Sequence, residues 1–317
     1  MKVYVKTPAR LHFGLIDLNG DLGRMFGGLG VGINQPNVIL EAQPSEALVV
    51  AGEKAELIKT LVKRFQDAYN VKSNVTITVK QVIPEHTGLG SGTQLALAVA
   101  TAMAKLFNVK AKTQELALTM GRMHRTGVGT AIFAQGGFVV DGGKNTQNQT
   151  CLPPLIFRQP FPEEWRFVVA IPNVPKGLSN EQETTAFKKV DPMPPEEVGR
   201  ICRLTMMKLL PALAEHDIES FGDALTQIQN ILGDNFAEVQ GGRYTNGSAA
   251  ENIAFMQKLG AYGVGQSSWG PALYGLVPKE KAQETQRKVQ AFLKSRMGGR
   301  VFTVKAANRG AYIKIIK

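Results

Sequence analysis

The chain has 317 residues, enough for two domains of ordinary size, and its 44% apolar and 20% charged content excludes a disordered chain. Its formal net charge of +11 favours an anionic ligand, yet Lys and Arg are scattered, with no basic run and no aromatic-rich basic motif, so nucleic acid is not expected. The opening "MKVYVKTPARLHFG" carries no apolar h-region, the apolar run at 95–104 is too short to span a bilayer, and Cys151 and Cys202 lie far apart. A cytoplasmic protein is expected, with no membrane segment, no disulfide scaffold and no CxxC metal site.

Residues 1–7 alternate as a strand does, and 36–50 hold two more strand-like pieces. Leu57, Leu61, Phe65 and Tyr69 recur at helical spacing and predict a helix over 54–70. In "NVTITVKQVI", Val75, Ile77 and Val79 share one strand face. A glycine-rich turn, "PEHTGLGSGT" (84–93), then runs into a helix over 94–107 that carries Leu95, Leu97, Val99, Met103 and Leu106 around most of its surface and is therefore buried. Residues 113–124 read as a helix, and "RTGVGTAIFAQGGFVVDGG" (125–143) as a glycine-rich segment with Asp141 ending a strand. The polar, then proline-bearing "KNTQNQTCLPPL" marks a connection between domains 1–155 and 156–317. The second half opens with a strand over 165–172, followed by helical patterns near 195–215, 217–233 and 247–260. Short strands near 262–266 and 272–277 flank "GQSSWG"; a helix over 279–296 and strands near 300–306 and 311–316 close the chain. This order predicts an α+β protein with antiparallel strands and helices on one side of each sheet.

The turn at 84–93 is an anion site by construction. Gly88, Gly90 and Gly92 let the backbone approach a ligand, Ser91 and Thr93 add hydroxyls, and the following helix points its unpaired N–H groups at the same place. The alternative is a tight strand-to-helix turn with no ligand. The turn is not a Walker A loop, because no Lys follows the last glycine, and it lacks the βαβ setting of a dinucleotide fingerprint.

The pattern P-x3-G-L-G-S-G-T, beginning at Pro84, resembles the second motif of the GHMP family of small-molecule kinases. "TPARLHFGLIDL" (7–18) resembles the family's first motif and "GAYGVGQSSWGPALYGLV" (260–277) its third. The resemblance covers almost the whole chain. It implies a ribosomal-S5-like N-terminal domain, a ferredoxin-like C-terminal domain and a site in the cleft between them. Two departures separate the chain from the kinases: Thr130 stands where a catalytic Asp is expected, and Gly92 replaces the usual second serine of the loop. "ARLHFGLIDLNGDLGRMFGGLGVGI" (9–33) and "GVGTAIFAQGGFVVDGG" instead resemble a non-kinase branch, the β-ribofuranosylaminobenzene 5′-phosphate synthases of methanopterin biosynthesis. That resemblance implies transfer of phosphoribosyl from phosphoribosyl pyrophosphate to 4-aminobenzoate, with release of CO2 and pyrophosphate. Mg2+ is the implied cofactor, held mainly by pyrophosphate. An ATP-dependent small-molecule kinase is the alternative, and a non-enzymatic nucleotide or nucleic-acid binder a third reading.

Such chemistry needs cations for phosphates and a carboxylate, and a carboxylate near developing positive charge. Asp17 and Arg24, in "GLIDLNGDLGRMFGG", are the expected catalytic pair; Asn19–Gly20 equally fits a solvated hairpin turn, most of all for Asp21. Arg10 and His12 share one strand face, which lines the cleft or faces water. With His86 and Thr130 they are the expected substrate-binding residues. Gly265, Ser267 and Ser268 of the third motif join the loop glycines as expected phosphate binders, and Trp269 either stacks on an aromatic substrate or wedges the domains together. His124 and Arg125 read as helix capping, His216 as a loop residue without a partner, and Lys176 with "KGLSNEQETTAF" as a lid. The helix over 54–70 and the apolar helices of the second half are candidate faces for a homodimer.

Overall fold

The computed structural model describes residues 1–123, 125–148, 152–174, 180–245 and 247–316, with the backbone alone for 180–184. His124, Cys151 and Lys176 lie outside the described residues. The first half runs β1 (Lys2–Lys6), β2 (Ala9–Asp17), β3 (Arg24–Ile33), β4 (Ile39–Ser45), β5 (Val49–Ala51), α1 (Ala55–Tyr69), β6 (Asn74–Gln81), α2 (Ser91–Leu106), α3 (Thr113–Thr119), α4 (Val128–Gln135), β7 (Phe138–Asp141), β8 (Lys144–Asn145) and β9 (Leu155–Gln159). The second half runs β10 (Trp165–Pro172), α5 (Asn180–Lys189), α6 (Pro195–Leu204), α7 (Leu210–Glu215), α8 (Ile218–Asn235), α9 (Ala237–Gln240), α10 (Gly247–Lys258), β11 (Gly263–Gln266), β12 (Leu273–Pro278), α11 (Ala282–Arg296), β13 (Gly299–Val304) and β14 (Tyr312–Ile316). A π-helical turn, Thr205–Leu209, joins α6 to α7.

The strands form three sheets, ordered β14-β1-β4-β6-β5, β2-β3-β7-β9 (with β8 beside β3) and β11-β12-β10-β13. All pairings are antiparallel except β5 with β6. The last strand of the chain pairs with the first, so sheet membership does not follow the division at 155/156. The two halves also share a core. Phe13 of β2 meets Phe138 of β7 at 6.2 Å, and Phe167 and Tyr274 of the second half at 5.7 and 5.1 Å. Residues 94–104 of α2 are all buried, as its all-round apolar surface requires.

The helix predicted over 113–124 ends at Thr119. Gly121 adopts φ 66°, its N–H bonds Leu118 O, and Arg122 N–H bonds Ala117 O, which is a Schellman stop. Arg125 therefore lies beyond the end of α3. Inside the glycine-rich 125–143 segment lies α4, too short and too uniformly apolar to show a periodicity. It packs on β3, where Gly28, Gly30 and Gly32 alternate along one face: a Cβ on Gly28 would lie 2.6 Å from Val128 Cγ2, and one on Gly30 2.7 Å from Val128 Cγ1. β3 is thus a strand whose glycines let a helix approach closely.

Candidate active site

A cleft of about 1490 Å3 opens between β2, the 84–93 loop, the α3–α4 connection and, from the second half, α5, α8 and the turn at 266–270. It lies where the motifs place it, between the two halves of the chain.

The glycine loop delivers the N-terminus of α2. Gly90 precedes the helix with φ 83°, and no side chain caps it, so the first-turn N–H groups are left for a ligand. Gly88, Gly90, Ser91, Gly92, Thr93 and His86 all line the cleft. Close packing fixes the loop. A Cβ on Gly88 would lie 2.1 Å from Ser267 O, and one on Gly90 2.9 Å from Arg10 Cγ. The Arg10 guanidinium donates to Gly88 O. Across the loop, a Cβ on Gly92 would lie 3.1 Å from Nη1 of Arg122, a residue that the motifs did not single out.

Strand alternation puts Arg10 and His12 on the cleft face until a bulge between His12 and Gly14. His12 Nδ1 accepts the Gly14 N–H at 3.2 Å, which leaves the proton on Nε2, 3.5 Å from Thr126 Oγ1. Burial pushes the His12 pKa down to about 3, and the charge of Arg10 adds to the effect, so the ring stays neutral at physiological pH. Below it, buried Asp141 accepts the N–H groups of Gly127 (2.9 Å) and Gly143 (3.0 Å) and so caps α4 from a distant strand. Burial raises its pKa to about 6, against backbone hydrogen bonds from Gly143, Gly127, Val128 and Gly28 that pull the other way.

The third motif divides. Ser268 lines the cleft, and its N–H bonds His12 O. Ser267 is fully buried: it donates to Gly88 O (2.6 Å) and accepts His12 N–H (2.9 Å), clamping the phosphate loop to β2. Gly265 is buried under α8, and a Cβ there would lie 2.4 Å from Gln229 Oε1. That oxygen already accepts Gln266 N–H, and Gln229 Nε2 donates to Phe13 O.

Besides Gly265 and Ser267, three expected site residues fall outside the cleft wall. Asp17 Oδ1 accepts the N–H groups of Asn19 (2.7 Å) and Gly20 (2.8 Å), an Asx turn at the end of β2. Arg24 begins β3 and not a turn; it donates to the carbonyls of Gly142 (2.7 Å) and Gly143 (2.8 Å). Thr130 is buried in α4, and the hydroxyl that reaches the site from that segment is Thr126. Asp21 is exposed in the hairpin. His216, expected to be alone, pairs with Glu164 at 2.7 Å.

Another part of the cleft wall is aromatic. Phe187 of α5 meets Phe26, Phe236 and Trp269 edge-on at 5.7, 5.7 and 5.4 Å, and Arg125 lies 4.6 Å over its ring. Phe26 holds φ 75°, a conformation a bulky residue adopts only where its surroundings impose it. Trp269, mostly buried, both packs here and lines the cleft. The C-terminal part of the segment expected as a lid therefore supplies one wall of the site; its start lies outside the described residues.

Electrostatically the wall is one-sided. Arg10, Arg64, Arg122, Arg125, Lys144 and Lys188 line it, together with Arg243, whose fork is taken by Asp234. The only carboxylate among the described lining residues is Glu85, which pairs with Lys54. Among the described residues no three His, Cys, Asp or Glu side chains converge as metal ligands, so the wall itself does not build a cation cage. No helix among them is long and apolar enough to cross a membrane.

The sequence reading missed Arg122, Arg64, Thr126 and, Trp269 apart, the aromatic wall. Gly121 was the available signal for Arg122: a glycine stop there makes the next residues a loop facing the α2 N-terminus. Phe187 and Phe236 carry no such signal, because only tertiary packing brings them together.

Family models match residues 56–137 as the GHMP kinases N terminal domain and 209–295 as the GHMP kinases C terminal domain. The chain is 33% identical to the β-ribofuranosylphenol 5′-phosphate synthase of Methanothermobacter thermautotrophicus, covering 99% of each chain. It is 36% identical to the synthase of the same name from Archaeoglobus fulgidus, covering 98% of this chain and 99% of the other. Among solved structures, galactokinase of Lactococcus lactis complexed with galactose shares the fold with a TM-score of 0.71 at 14% identity, covering 98% of this chain and 95% of that one. The chain belongs to the GHMP kinase family and, within it, to the β-ribofuranosylphenol 5′-phosphate synthases.

Proposed function

We propose that the protein transfers the 5-phosphoribosyl group of phosphoribosyl pyrophosphate to a para-substituted benzoate with loss of CO2 and pyrophosphate. The observation that carries this reading is a single cleft whose wall holds both a cationic, glycine-lined helix N-terminus and a cluster of aromatic rings. A phosphorylated sugar donor fits the first and an aryl acid the second. The ring carbon bearing the carboxylate attacks C1 of the sugar with a π pair, and the C1–O bond breaks with its pair leaving on pyrophosphate. The C–CO2 bond then breaks, and its pair restores the aromatic ring. Electrons are neither gained nor lost overall.

The chain's own groups act by position and charge. Arg10 and the α2 N-terminus bind the donor. Neutral His12, with its proton on Nε2, and Thr126 offer hydrogen bonds from the cleft floor. Phe26, Phe187, Phe236 and Trp269 hold the acid's ring and exclude water from the leaving carboxylate. Asp17 and Arg24 act at one remove, shaping the β2–β3 hairpin and its contact with 142–143. Mg2+ travels with the pyrophosphate as part of the substrate. The relatives are named for a ribofuranosylphenol product, which points to 4-hydroxybenzoate as the acceptor. The motif resemblance implied 4-aminobenzoate. Both acids carry the para electron donor that the attack needs.

Against the kinase alternative stands the lack of a free carboxylate on the described wall, since Glu85 is held by Lys54. The test incubates protein with phosphoribosyl pyrophosphate, Mg2+ and the two acids in competition, and identifies the product by mass. A C-riboside 5′-phosphate lacking the carboxyl group is expected, and the product ratio assigns the para substituent. Absence of both products, with phosphoryl transfer from ATP to a small alcohol, overturns the reading.

A further inference from the structure

Gly92 is the position where this chain departs from the usual second serine of the loop, and the structure gives the departure a partner. Arg122 follows the Schellman stop of α3, so its backbone is fixed by the hydrogen bonds of Arg122 N–H to Ala117 O and Gly121 N–H to Leu118 O. Its guanidinium lies against the first turn of α2: a Cβ on Gly92 would be 3.1 Å from Nη1 and 3.4 Å from Nη2. A serine there would press on the guanidinium, so glycine at 92 and arginine at 122 suit one another. Arg122 Nε is buried and makes no hydrogen bond. Burial first, and then the charge of a second cation, Arg64 of α1, push its pKa down, and Arg64 also lines the cleft. No described carboxylate on the cleft wall faces the pair, because Glu85 is held by Lys54.

Without a ligand this arrangement is unfavourable. A half-buried guanidinium is set against the positive end of a helix and within the field of a second, exposed one, with its enclosed Nε donor unsatisfied. Removing the charge would relieve the fold, so folding does not explain its presence. An anion with several oxygens between Arg122, Arg64 and the α2 N–H groups does.

We infer that Arg122, backed by Arg64 and admitted by Gly92, forms the subsite that holds the pyrophosphate group of the donor and receives the charge of the leaving group. The identity of the anion rests on the proposed reaction; the subsite does not. The glycine loop of the second motif thereby takes the pyrophosphate, and the sugar 5′-phosphate binds elsewhere along the cationic wall.

The test is calorimetric titration of the ligand-free protein with inorganic pyrophosphate and, separately, with ribose 5-phosphate. Arg122→Gln is expected to weaken pyrophosphate at least tenfold, and Arg64→Gln about threefold, while ribose 5-phosphate binds as to wild type. Ligand-free Arg122→Gln is expected to melt at or above the wild-type temperature, a result that a residue serving only the fold does not give. Gly92→Ser, which leaves both charges in place, is expected to weaken pyrophosphate by crowding the guanidinium. Three results overturn the subsite: wild-type protein that binds no pyrophosphate, wild-type affinity in Arg122→Gln, or a loss confined to ribose 5-phosphate. The outcomes separate from the reaction itself. Release of CO2 by wild type together with wild-type pyrophosphate affinity in Arg122→Gln removes the subsite alone. A tenfold loss in Arg122→Gln, with no CO2 released by wild type, removes the reaction alone.

Discussion

The two glycine loops of this protein look alike as sequence and behave differently as structure. Gly88–Thr93 opens on the cleft, ends in an uncapped helix N-terminus and faces guanidinium groups. Gly263–Ser267 faces protein: Gly265 admits the Gln229 side chain, and Ser267 holds the other loop in place. Both need glycine because something comes too close for a Cβ: Ser267 O, Arg10 and Arg122 against the first, Gln229 against the second. Glycine richness marks close approach, and only tertiary structure tells what approaches.

The largest effect expected from this contrast belongs to Gly88. Its φ of 78° and the 2.1 Å between a Cβ and Ser267 O leave no room, so Gly88→Ala costs more than about 3 kcal/mol in a denaturant titration and abolishes activity. Ser267→Ala costs about 2 kcal/mol, because Gly88 O loses a donor and His12 N–H an acceptor inside the core. Gly265→Ala costs a similar amount and leaves pyrophosphate affinity in the surviving folded protein near wild type. A selective loss of that affinity would place the third motif on the ligand after all.

Two buried groups sharpen the picture through pH. The Asp141 carboxyl has a folded pKa of about 6 against an ordinary 3.8, so the native state binds more protons between these values and its stability falls as pH rises through that window. The His12 folded pKa of about 3 lies below its ordinary 6.5, so the unfolded chain binds more protons there and stability falls as pH drops from 6.5 towards 3. The melting temperature of wild type relative to Asp141→Asn is expected to fall from pH 4 to pH 7. Relative to His12→Gln it is expected to rise over the same range. The smallest effect is expected at Asp17. Asp17→Asn keeps turnover within severalfold, since its carboxylate serves the Asn19 and Gly20 N–H groups; a loss of orders of magnitude in steady-state rate would return it to the chemistry.

Much of the fold was legible because its signals are local. The strand over Trp165–Pro172 and the buried α2 follow from alternation and from apolar residues on every side. Where glycine interrupts those periods neither β3 nor α4 shows a pattern, although Gly28 and Gly30 exist to seat α4 on β3. The site was legible in its backbone parts, the loop and the Arg10–His12 face, which a motif fixes within a few residues. Arg122 sits about thirty positions from the loop it completes, and Phe187 meets Trp269 across more than eighty, so neither pairing exists until the chain folds. Asp17 and Arg24 show the converse: residues whose chemistry fits a mechanism are engaged by backbone groups that a sequence does not display.

The central claim, that this cleft couples a phosphoribosyl donor to an aryl acid by decarboxylation, is tested most directly by stoichiometry. Carboxyl-labelled 4-hydroxybenzoate or 4-aminobenzoate, phosphoribosyl pyrophosphate, Mg2+ and purified protein are combined, and CO2 and pyrophosphate are measured together. One CO2 per pyrophosphate, each requiring both substrates and neither requiring ATP, is the predicted result. Pyrophosphate released without CO2, or no release of either by protein shown to be folded, would contradict it.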